Sequence, residues 1–68
     1  MDLYFRNNPM KTEELVREKV EVEDAIMYAL YDLSKRRPTF NSKYQRVMKK
    51  KNGILIDYGS YDECYILK

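Results

Sequence analysis

The segment KNGILIDYGSYDECYIL (residues 51–67) contains two turn signals between runs of alternating apolar residues. Asn52-Gly53 is a strong hairpin signal, because a type I′ turn requires positive φ at both central residues. Gly59-Ser60 is a second two-residue turn candidate, of type II′. Together the turns predict three antiparallel strands at about residues 43–51, 54–58 and 61–67.

Two-residue loops would pair positions whose numbers sum to 105 in the first hairpin and 119 in the second. A slip of one residue in either turn would exchange the two faces of the sheet. In the predicted register one face carries Val47, Lys49, Lys51, Ile54, Ile56, Tyr58, Tyr61, Glu63 and Tyr65. The opposite face carries Arg46, Met48, Lys50, Leu55, Asp57, Asp62, Cys64 and Ile66.

Before Pro38 the apolar period is helical rather than alternating. Asn8-Pro9 and Thr12 are both suitable helix starts, and Pro38 disfavours helical geometry at the residue before it. The pattern predicts a helix over residues 9–37, or two helices if the acidic, β-branched segment 20–24 interrupts it. Residues 1–8 form a short arm that pairs as an edge strand or packs over the core.

The predicted fold is a single small α+β domain (residues 1–68), with one long N-terminal helix packed on a three-stranded antiparallel meander. This helix has two apolar stripes, and only one of them can cover the sheet. The second stripe needs the arm, or the same helix of a second subunit in a homodimer, as its cover. Its members are Val16, Val20, Met27 and Tyr31.

Composition gives little support to enzymatic chemistry. The chain of 68 residues has no histidine, one cysteine (Cys64) and two glycines. It therefore lacks the commonest general base, an intrachain disulfide and a glycine-rich phosphate loop. Asp57, Asp62 and Glu63 are better explained as solvated acids near a turn than as a metal site. We predict no catalytic residue, no metal and no cofactor.

The location expected from the sequence is cytoplasmic, with no membrane partner. No apolar run approaches the roughly 20 residues that span a bilayer, and no apolar segment of a signal peptide opens the chain. A single reduced cysteine agrees with that location.

A basic segment, KRRPTFNSKYQRVMKKK (residues 35–51), carries eight of the thirteen Lys and Arg residues and no acid, whereas the rest of the chain is acidic. Cations, small polar groups and aromatic rings in one segment are typical of nucleic-acid binding. The leading hypothesis is a non-enzymatic protein that binds nucleic acid or a nucleoprotein complex. Its electrostatic contacts would be Lys35, Arg36, Arg37, Lys43, Arg46, Lys49, Lys50 and Lys51, with Phe40 and Tyr44 as stacking candidates.

Three other readings of the basic segment remain open: a solvated surface, internal pairing with the chain's own glutamates, and an acidic protein partner. The alternative function is a protein–protein inhibitor or adaptor that binds a host protein. It would use the second helix stripe or the sheet tyrosines Tyr58, Tyr61 and Tyr65. In composition alone, the chain resembles small accessory proteins of phages and mobile elements, a class that includes transcription regulators, host-takeover peptides and inhibitors of defence systems.

Overall fold

The computed structural model describes residues 1–40 and 45–68 as an antiparallel sheet of five strands with one helix. The strands are β1 (Leu3–Asn7), β2 (Thr12–Arg17), β3 (Arg46–Lys50), β4 (Gly53–Asp57) and β5 (Glu63–Leu67). A single 3₁₀ turn, Val22–Asp24, leads into α1, Ala25–Arg36. The strand order is β2-β1-β5-β4-β3, so β2 and β3 are the two edges.

The prediction of one long N-terminal helix on a three-stranded meander is wrong. The arm and the first part of the predicted 9–37 helix form a hairpin, β1–β2, which adds two strands to the sheet. β1 lies in the interior, paired with β2 on one side and β5 on the other. Hydrogen bonds to β2 and β5 satisfy the backbone groups of β1 on both sides. The stability gained from these pairings outweighs the modest preference of Glu13, Glu14 and Leu15 for a helix.

The residues that resembled a helix start instead turn the chain. The side chain of Asn7 accepts a hydrogen bond from the Met10 backbone at 3.0 Å, and Lys11 has a φ of 54°. Asparagine favours turns of this kind because its short side chain can replace a backbone acceptor. Asn8-Pro9 is therefore part of the β1–β2 turn and not a helix cap.

The helix begins sixteen residues later than residue 9 and ends at Arg36, just before the segment that Pro38 restricts. Its buried face consists of Ala25, Ala29 and Leu33, one turn apart. These pack on the central strands, where Leu3 and Leu67 are fully buried and Tyr65 is 1% exposed. Two small alanines allow the helix to approach the sheet closely.

The register of both C-terminal hairpins differs from the prediction by two residues. Lys50 pairs with Gly53, and Ile54 pairs with Leu67, so the pair sums are 103 and 121. A shift of two preserves which side chains share a face. Val47, Ile54, Ile56 and Tyr65 therefore still lie on one face, which is the face that α1 covers.

Gly53 is expected to resist substitution. Its φ is +148°, and a Cβ built there would collide with the backbone carbonyl oxygen of Leu67. Because a backbone atom cannot rotate away as a flexible side chain can, we expect Gly53→Ala to lower the free energy of unfolding by about 1–3 kcal/mol. Urea unfolding followed by circular dichroism measures this. Gly53→Ala with an unchanged midpoint would show that the β4–β5 approach is looser than described.

Candidate nucleic-acid interface

The fold divides the basic segment into a helix end and an edge strand. Lys35 and Arg36 lie in the last turn of α1, and Arg37 caps it. The remaining described cations, Arg46 to Lys51, belong to β3 and its turn into β4. Lys43 and Tyr44 lie outside the described residues.

Arg36 is held inside the fold. Its guanidinium donates to Asp32 at 2.5 Å and to Glu14 at 2.8 Å, and it lies 4.2 Å from the centre of the Phe5 ring. Burial would lower the pKa of Arg36, but the hydrogen bonds to Glu14 and Asp32 outweigh it and raise the pKa. Arg36 therefore joins α1 to β1 and β2 and is not free for an external anion.

Arg37 is also neutralised by the chain itself. Its guanidinium forms an ion pair with Glu63, whose other carboxylate oxygen accepts from the Tyr58 hydroxyl at 3.2 Å. Pairing of the basic segment with acids of the same chain thus holds for both arginines at the helix end.

Lys35 and Phe40 lie against aromatic rings of the fold. The ammonium of Lys35 lies 4.3 Å from the centre of the Tyr31 ring, on an exposed side of α1. Phe40 packs edge-on against Tyr58, with 5.5 Å between ring centres. Phe40 is 43% exposed in spite of this contact.

The cations of β3 form the basic surface that remains. Arg46, Lys49, Lys50 and Lys51 are exposed, and within residues 1–40 and 45–68 no acid makes an ion pair with them. Among the residues that the structure describes, β3 pairs only with β4, so its other edge has no partner strand there. Val47 is 49% exposed on the helix side, which shows that α1 does not extend over this strand. Lysines here also protect an open edge from pairing with another chain.

The three lysines project in different directions from one end of the β3–β4 ribbon. Lys49 lies on the face that α1 covers elsewhere, Lys50 lies on the opposite face, and Lys51 is in the turn. A narrow, two-stranded end of this kind can contact phosphates on both of its sides.

The candidates for a protein interface are divided between core and surface. Val20, Tyr58 and Tyr65 are 1–2% exposed and belong to the core, and Val16 packs against it. Met27, Tyr31 and Tyr61 are 57%, 62% and 98% exposed. Met27 and Tyr31 are four residues apart on α1 and, with Arg17 and Tyr28, line a shallow hollow.

The described residues offer few groups for nucleophilic catalysis or metal binding. Cys64 is buried on the sheet face opposite α1, and burial raises the pKa of its thiol, which keeps it neutral. Across the described ranges, no three His, Cys, Asp or Glu side chains converge as metal ligands. The helical segments in those ranges are too short or too polar to cross a bilayer.

These features define a two-layer α+β domain: a five-stranded antiparallel sheet with one helix on one face and a basic edge strand, β3, which pairs on one side only within residues 1–40 and 45–68. Comparison of the chain with protein-family models, with curated proteins and with solved structures finds no match.

Proposed function

We propose that the protein is a non-enzymatic nucleic-acid-binding protein that contacts phosphates through Lys49, Lys50 and Lys51. The observation that carries the proposal is the contrast in pairing along residues 35–51. Arg36 and Arg37 are held by acids of the fold, whereas the cations of β3 have no such partner among the described residues. Exposed cations without a neutralising acid retain the full attraction for a polyanion.

Binding is expected to depend steeply on salt. If each of the three lysines neutralises one phosphate of duplex DNA, counterion release predicts that affinity falls about fortyfold between 50 and 200 mM salt. Fluorescence anisotropy with a labelled random-sequence duplex and a single-stranded oligomer measures this fall. Lys49→Ala, Lys50→Ala and Lys51→Ala together should remove most of the binding and most of the salt dependence.

Two controls separate position from charge. Lys11→Asn with Lys19→Asn removes two lysines on the opposite side of the sheet, at positive-φ positions that asparagine tolerates. This variant should bind as the wild type does. Replacement of Lys49, Lys50 and Lys51 together by arginine should retain binding. Absence of binding at 50 mM salt, or full binding by the triple alanine variant, would rule the proposal out.

A second candidate function is the binding of a host protein on the exposed side of α1. The observation that favours it is the neighbouring pair Met27 and Tyr31, both more than half exposed. Such a complex would survive high salt and would be lost on Met27→Glu, while the triple alanine variant of β3 would still form it. If a host protein stays bound to the wild type at 1 M salt but does not bind Met27→Glu, this function replaces the first.

A further inference from the structure

The sheet face opposite α1 carries an apolar row that crosses all five strands. The register places Leu15 beside Tyr4, Tyr4 beside Ile66, Ile66 beside Leu55, and Leu55 beside Met48. No described element packs on this face. Leu15 is 46% exposed. Leu55 and Ile66 line an open hollow of about 220 Å³ together with the charged residues Glu13, Lys50 and Lys68, and the ammonium of Lys68 lies 5.1 Å from the centre of the Tyr4 ring. A continuous apolar row of this kind on a small domain is typical of an interaction site.

A second row, which is polar, runs beside the apolar one. Glu13 pairs with Arg6, Arg6 with Cys64, and Arg46 with Asp57. Continuing the β4–β5 register places Asp57 beside Cys64. Read from β2 to β3, the formal charges of this row are therefore negative, positive, neutral, negative, positive. Within the chain, Glu13 pairs with Arg6 at 3.0 Å and with Lys68, a further cation on this face, at 2.6 Å.

When this order of charges is reversed and set against the original, each charged position meets a charge of the opposite sign. A two-fold axis parallel to the strands, between two stacked sheets, preserves strand direction and reverses strand order. It would place Glu13 opposite the partner's Arg46 and Arg6 opposite the partner's Asp57, with Cys64 at the axis. A two-fold interface contacts itself in this reciprocal way.

The same operation brings the apolar rows together. Ile66 would meet the partner's Ile66, Tyr4 the partner's Leu55, and Leu15 the partner's Met48. Packed sheets lie about 10 Å apart and are rotated by about 30°. The long side chains of Glu13 and Arg46 lie at the corners, where they can span the offset that this rotation produces.

We propose that this outer face, defined by Leu15, Tyr4, Ile66, Leu55 and Met48, binds a second copy of the chain in a face-to-face homodimer. The charge complementarity selects a copy of the same chain. The interface differs from the helix-to-helix dimer considered from the sequence. It assigns Arg46 to the partner's Glu13. Lys49 and Lys51 lie off this face, whereas Lys50 lies on it beyond Met48, at the end of β3.

Charge exchange tests the arrangement. Wild-type protein at high micromolar concentration should sediment with twice the monomer mass of 8.3 kDa. Glu13→Arg alone and Arg46→Glu alone should each weaken dimerisation at least about tenfold, because each places like charges opposite one another. Mixing the two variants should restore the dimer, since every facing pair is then of opposite charge. The double variant should also dimerise.

Two further variants keep the test decisive. Lys49→Glu makes the same charge change as Arg46→Glu on the opposite face of β3, and it should leave the dimer intact. Ile66→Glu places two carboxylates at the axis and should give a folded monomer, even if Glu13→Arg fails to fold through loss of its Arg6 and Lys68 pairs. A monomeric wild type, assemblies larger than two, or dimerisation unaffected by Arg46→Glu and Ile66→Glu would overturn the proposal. Because the readout is mass, it is independent of nucleic-acid binding.

Discussion

Leu3→Ala is expected to lower the free energy of unfolding by about 3 kcal/mol, as for other fully buried leucines. Leu3 is completely buried in β1, between Arg17 of β2 and Leu67 of β5. A domain of this size has a total stability of about 3–10 kcal/mol, so the variant would lose a large part of it. Urea unfolding followed by far-ultraviolet circular dichroism gives the difference.

Met10→Ala is the matched control for Leu3→Ala. Met10 lies in the turn of the same hairpin and is 71% exposed, so its truncation should change stability by less than about 0.5 kcal/mol. Equal and small effects of the two changes would mean that residues 1–8 are a loosely packed arm and not an interior strand.

Above about pH 10 the protein is expected to lose stability rapidly. Burial, and then the hydrogen bond to Asp32 at 2.6 Å, raise the pKa of Tyr65 well above its usual value. Burial and the nearby Glu63 raise the pKa of Tyr58 in the same direction. A raised pKa in the folded state means that folding favours the protonated tyrosine. The stabilisation is therefore complete below the unfolded-state pKa of about 10 and is lost as the pH rises above it.

The expected slope is about 1.4 kcal/mol per pH unit for each tyrosine, or about 3 kcal/mol for both, up to their folded-state pKa values. Urea midpoints between pH 9 and 12 measure it. Tyr65→Phe should lose about 1–3 kcal/mol at pH 7 with its hydrogen bond, and its alkaline slope should be about half as steep. Tyr61→Phe, at a position 98% exposed, should match the wild type. A flat wild-type profile to pH 12 would show that neither hydroxyl is shielded from water.

The C-terminal half of the fold follows closely from local signals in the sequence. The turn signals at Asn52-Gly53 and Gly59-Ser60 correctly separate β3, β4 and β5, and Pro38 accounts for the end of α1 at Arg36. The positions of the two turns were less well specified. Lys51 and Asn52 occupy the loop of the first hairpin, so Gly53 begins β4 beside Leu67 and does not form the turn itself.

The N-terminal half could not be predicted in this way because its structure depends on distant pairing. The local sequence favours a helix at Glu13, Glu14 and Leu15. These residues form a strand because the β1–β2 hairpin pairs along the edge of β5. The alternation of Leu3 and Phe5 was the available signal, since both point at α1. Without β2, the row from Leu15 to Met48 could not be assembled, so the outer face went unrecognised.

The candidate site shows a similar division. The sequence identifies residues 35–51 as basic, but it does not say which cations the fold itself uses. Arg36 meets Glu14 only because residues 12–17 are a strand, and Arg37, at the end of α1, meets Glu63 at the start of β5. The pairing of these arginines reduces the predicted surface to β3 and its turn.

The salt dependence of nucleic-acid binding by Lys50→Gln and Arg37→Gln tests this division most directly. Each variant loses one cation from the same basic segment. Lys50→Gln is expected to reduce the slope of log affinity against log salt by about 0.9, which is the value for one phosphate contact. Arg37→Gln is expected to leave this slope unchanged. An equal reduction in both variants, or a reduction in Arg37→Gln alone, would contradict this division.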